Sequence, residues 1–146
     1  MAFPLDPTTV THGIQLAVAP VFLLTAIGTL LAVLTNRLGR AVDRRRSLDA
    51  ALGGLEGRIA EEARRELGVL EVRGRLIYTA IALAVTSALF VCLLIALAFL
   101  DALVAMDLAR VVVTLFVLSL FSLILGLAVF LREIFLAVNS PRTPVL

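Results

Sequence analysis

The 146-residue chain is 61% hydrophobic and 16% charged, with a mean hydropathy of +1.08 and a formal net charge of +2. A water-soluble domain of this length lacks the interior to hide so much apolar surface, so the composition excludes a soluble globular fold and implies a membrane-embedded one. Period-two alternation is absent, which excludes the strands of an outer-membrane barrel.

Residues 1–13 read as a short external segment, followed by an apolar run over 14–35 that is long enough to cross a hydrocarbon core of about 30 Å. A cleavable secretory signal would carry a basic residue before its apolar core. "MAFPLDPTTVTHGIQ" has none and carries Asp6, so the run is expected to stay as the first transmembrane helix. Pro20 removes one helical hydrogen bond within that helix and is a hinge candidate. Thr25, Gly28, Thr29, Ala32, Asn36 and Gly39 advance by three or four and form one narrow face of small and polar side chains. Such a face permits close helix packing in lipid; the sharper alternative is a water-tolerant pore lining.

The periodicity does not end with the membrane. Leu34, Leu38, Ala41, Leu48, Leu52, Leu55 and Ile59 follow the spacing of a coiled-coil seam, with charged residues between them. "LGGLEGR" holds the one cluster of glycines and predicts a turn at 53–57, between arms of nearly equal length. Ile59, Ala63, Leu67 and Leu70 form a stripe on the second arm that would pack against Leu48 and Leu52. Residues 36–75 therefore predict an antiparallel helical hairpin. The plainer reading, a charged loop attracted to anionic lipid, sits less well with high helix propensity and mixed charge signs.

Apolar runs over 76–100 and 108–131 predict the second and third transmembrane helices, joined by an external loop at 101–107 and followed by a tail at 132–146. Thr79, Ala82 and Thr86 in the second helix, and Ser119, Ser122 and Gly126 in the third, repeat the small-residue spacing. Tyr78 occupies the aromatic-belt position, and "FLREIF" places Arg132 and Glu133 just past the third span as an ordinary helix end. The fold class expected is thus an all-α membrane protein of three transmembrane helices, the first two extended into a cytoplasmic antiparallel hairpin.

Arginine sets the orientation. The chain has no lysine, so all 13 basic residues are arginine, and ten of them lie between Arg37 and Arg75. The positive-inside rule then places the hairpin and the C-terminus in the cytoplasm and the N-terminus outside. Arg37, Arg40 and Arg44 are candidates for a basic ring at the inner mouth, and Asp101 and Asp107 for an outer vestibule. No acidic or basic side chain falls in the middle of a span, which disfavours proton-relay and voltage-sensor chemistry. The single His12 and single Cys92 lie at opposite depths and cannot form a metal site or a nucleophile pair; their plain readings are an interfacial histidine and a packed cysteine. Without paired carboxylates, metal ligands or an activated nucleophile, no enzyme, cofactor, metal or nucleic-acid partner is expected.

"HGIQLAVAPVFLLTAIGTLLAVLTNRLGRAVDR" (12–44), with "RLIYTAIALAVTSALFVCLLIALAFL" and "LFVLSLFSLILGLAVFLREIFLA", resembles a family of small bacterial membrane proteins, domain-of-unknown-function family 2721. Pro20 and the run Thr35, Asn36, Arg37 carry the most specific part of the likeness. The resemblance implies the bacterial inner membrane and no particular activity. Two functional classes stay open: a homo-oligomeric ion channel lined by the first helix, and a non-conducting scaffold or regulatory subunit whose basic hairpin binds membrane lipid or an unidentified protein partner. Three spans enclose no path within one chain, so conduction would require several copies.

Overall fold

The computed structural model describes residues 7–104 and 107–139, with side-chain surroundings from Val18 onward except Ala102. Three helices follow in chain order: α1 (Pro7–Leu52), α2 (Gly57–Val104) and α3 (Ala109–Val138), of 46, 48 and 30 residues. Each is long and apolar enough to cross a membrane. At 1.5 Å per residue α1 and α2 are about 70 Å long, more than twice the hydrocarbon thickness. α1 runs unbroken through Pro20, which is buried.

The break between α1 and α2 falls where the backbone is least restrained. Gly53 and Gly54 form the turn, with the Gly54 and Leu55 amides donating to the carbonyls of Ala51 and Leu52 at 3.1 and 3.3 Å. Gly57 opens α2 at φ +59°, a left-handed value that glycine adopts without the steric penalty of a β-carbon.

The chain divides into two compact units. One comprises Met1–Leu30 and Leu83–Ile124, the other Leu31–Ala82 and Leu125–Leu146. In the first, α2 and α3 exchange hydroxyl hydrogen bonds. The Ser87 hydroxyl donates to the Ser119 carbonyl at 2.7 Å, and the Ser122 hydroxyl to the Leu83 carbonyl at 2.8 Å. Each serine reaches a carbonyl of the opposite helix, and a carbonyl already accepting within its own helix has a second lone pair to offer. Along α2, across both units, Ala80, Ala84, Ser87, Val91 and Leu94 are among the buried residues, while Thr79, Ala82 and Thr86 are exposed. The expected small-residue face of the second helix is therefore displaced by about one residue around its circumference. Cys92 is exposed, not packed into the seam.

In the second unit α1 and α2 run antiparallel beside each other. Leu48, Ala63 and Leu70 form a buried cluster, flanked by Leu52, Leu55 and Leu67. Ile59, expected in this seam, is 48% exposed, and Ala60 is buried in its place. Arg44 and Glu66 clamp the hairpin: Arg44 Nε donates to Glu66 Oε1 at 2.9 Å and Nη2 to Oε2 at 3.4 Å, a forked pair.

Candidate functional site

The densest polar arrangement lies in the unit of Leu31–Ala82 and Leu125–Leu146. Glu133 of α3 is completely buried and held by one arginine from each of the other helices. Arg37 of α1 donates to Oε2 from Nε at 3.1 Å and Nη2 at 2.8 Å, and Arg73 of α2 donates to Oε1 from Nε and Nη2, both at 3.0 Å. Each guanidinium edge grips one carboxylate oxygen, so the four contacts fill the acceptor sites of the carboxylate. The guanidinium of Arg37 also lies 5.5 Å from the centre of the Phe130 ring, one helical turn before Glu133. The cluster carries a net charge of +1 and ties three helices at one level.

Glu133 is therefore no ordinary helix end. Its signal was present in the spacing of α3: Ser119, Gly126 and Glu133 recur every seven residues, and all three are buried. A carboxylate placed on the inward face of a three-helix bundle, in a chain with arginine as its only cation, has to find arginine there.

This pairing changes the expected basic ring. Arg37 is held by Glu133 and Arg44 by Glu66, so of the three candidates Arg40 alone stands exposed outside an ion pair among the described residues. The vestibule candidates also separate. Asp101 accepts the Leu108 amide at 3.1 Å and caps the connection into α3, whereas Asp107 is exposed.

The six candidates on α1 share one property. Thr25, Gly28, Thr29, Ala32, Asn36 and Gly39 are all exposed, and a β-carbon built on Gly28 or Gly39 would meet no atom within 4 Å. The hydroxyls of Thr25 and Thr29 donate to the carbonyls of Val21 and Thr25 in their own helix. None of this face is used for packing among the described residues. By contrast Ser119, Ser122 and Gly126 are buried, so the same residue types serve internal contacts on α3.

Among the described residues no group of three or more His, Cys, Asp or Glu side chains is placed to hold a metal ion. The side chain of His12 and the tail from Ser140, including Arg142, lie outside the described residues. A family model described as "Protein of unknown function (DUF2721)" matches residues 17–143. Comparisons with curated proteins and with solved structures returned no match.

Proposed function

We propose that this chain, which belongs to the DUF2721 family, works as a homo-oligomeric, channel-like integral membrane protein in which the first helices of several copies meet around a common axis. The observation that carries this reading is the outward turn of α1's small and polar residues. A face of glycine, hydroxyl and carboxamide gains nothing from acyl chains, whereas it lets other helices approach closely. Thr25, Thr29 and Asn36 on that axis would offer water and ions weak, passable contacts. The proposal places the protein in the bacterial inner membrane with its N-terminus outside and its C-terminus cytoplasmic, following the crowding of arginine between Arg37 and Arg75. It assigns the chain no enzymatic step, cofactor or nucleic acid.

The test is ion flux from liposomes reconstituted with the full chain. The wild type is expected to conduct. Asn36→Leu and Thr29→Val are expected to lower flux by about tenfold, corresponding to about 1.4 kcal/mol in the barrier. Both positions are exposed on the single chain, so the substitutions leave its internal packing intact. Flux in the wild type that neither variant changes would remove α1 as the lining, and no flux in any preparation would remove the channel.

A second reading rests on a separate observation. Arg45, Arg46, Arg64 and Arg65 are exposed on the α1–α2 hairpin, among the exposed carboxylates of Asp43, Asp49, Glu61 and Glu62, and would offer their cations to an acidic protein partner. A scaffold of this kind needs no axis. Deleting residues 45–70 would abolish partner recovery on this reading, and unchanged recovery would dismiss it.

A further inference from the structure

Beside the Arg37–Glu133–Arg73 clasp, α1 and α2 leave an open groove of about 510 Å³ between them, lined entirely by residues of the unit of Leu31–Ala82 and Leu125–Leu146. We propose that this groove is a binding site for one anionic phospholipid, its phosphate held between Arg45 and Arg75 and its acyl chain passing Tyr78 and Thr79 toward the spans.

The chemistry of the groove changes along its length. Tyr78 and Thr79 line the end nearest the apolar spans and Arg45 the end nearest the hairpin turn; the pairing of Arg44 with Glu66, and of Arg37 and Arg73 with Glu133, sets Leu38, Glu71 and Gly74 between Arg45 and Arg75. Seven residues separate Glu71 from Tyr78, a distance of about 10 Å along the helix. That is the scale over which a phospholipid passes from charged headgroup to hydrocarbon. The direction matches a lipid in the leaflet from which the hairpin emerges, whichever face of the membrane that is.

Charge and shape fit the same occupant. Arg45, Glu71 and Arg75 sum to +1, and a phosphodiester of charge −1 neutralises them. Arg75 is 79% exposed and its Nη2 donates to Glu71 Oε1 at 2.7 Å, leaving its other nitrogens available at the rim. Tyr78, 68% exposed, sets an amphipathic ring at the boundary where such rings settle. The floor at Gly74 is empty: a β-carbon there would meet nothing within 4 Å. A helix of a second copy seated in the groove would have to desolvate both arginines, whereas a lipid phosphate pairs with them while its tail continues past Tyr78 toward the spans. The groove shares no residue with the α1 face assigned to other copies, so the two sites can be filled together.

The experiment is native mass spectrometry of the purified full chain in mild detergent, titrated with phosphatidylglycerol or with phosphatidylcholine of the same acyl chains. The wild type is expected to take up one phosphatidylglycerol per chain in preference to phosphatidylcholine. The double variant Arg45→Gln, Arg75→Gln is expected to lose that preference by about tenfold or more. Gly74→Leu fills the floor with a better helix former and is expected to retain neither lipid, with helicity by circular dichroism unchanged. Equal uptake of the two lipids by the wild type would overturn the site, as would undiminished phosphatidylglycerol binding in either variant. Dissociation of the oligomer by Gly74→Leu with lipid binding unaffected would assign the groove to a second copy and equally overturn it.

Discussion

Replacing Glu133 by alanine is expected to destabilise the folded bundle by about 3–5 kcal/mol, because it strands two guanidinium groups that are largely withdrawn from water. Arg37 and Arg73 are only 24% and 21% exposed, and Glu133 supplies all four of the hydrogen-bond contacts recorded for them in the cluster. Without the carboxylate the two cations also repel each other across the vacated space. The loss is measured as a lowered unfolding midpoint in mild detergent. The triple variant Arg37→Met, Glu133→Leu, Arg73→Met is expected to recover most of it, since an apolar trio of similar volume carries no desolvation cost. A small effect of Glu133→Ala would mean that water reaches the arginines and that the cluster behaves as a surface pair.

Leu48→Ala is expected to cost about 2–5 kcal/mol, felt mainly in the hairpin. Leu48 is fully buried against Ala63 and Leu70, with Leu52, Leu55 and Leu67 around it. The two helices that carry most of these neighbours are already clamped by Arg44 and Glu66, so the cluster cannot collapse into the space left behind. Hydrogen exchange of amides in residues 41–70 should accelerate strongly while amides near the Ser87–Ser119 bond keep their protection. Uniform acceleration along the chain would show instead that the hairpin and the helices beyond it unfold as one unit.

The parts legible in the sequence are those that composition and backbone chemistry dictate. The apolar runs mark three helices because nothing else can satisfy backbone polar groups in lipid, and the break between α1 and α2 falls at Gly53 and Gly54 because clustered glycine is the weakest helix former available there. Rotation of the helices is harder to read. In water the buried face stands out against a polar one, as Leu48 and Leu70 do in the hairpin. In lipid both faces are apolar, so Thr79, Ala82 and Thr86 look as suitable for packing as Ala80, Ala84 and Ser87, which are the residues that turn inward. Ile59 fits the seam by spacing alone, but the helix is turned so that Ala60, one residue on, is the buried one. Glu133 was hidden by its position in "FLREIF", where a charged pair after an apolar run reads as solvated; only its sevenfold spacing from Ser119 and Gly126 betrays the inward face. The six small and polar residues of α1 are legible as a stripe, whereas its outward turn depends on contacts between helices that spacing along one helix does not encode.

The most direct test of the proposed oligomer is the native mass of the full chain extracted into lipid nanodiscs, compared between the wild type and Gly28→Leu. A leucine at position 28 meets open space on the single chain, so it leaves the fold intact while obstructing close approach by a neighbour. The expected result is one closed species of four or more copies of the 15.6 kDa chain for the wild type, and smaller species for the variant. A wild-type mass of one or two chains would contradict the proposal, because too few first helices would be present to surround an axis.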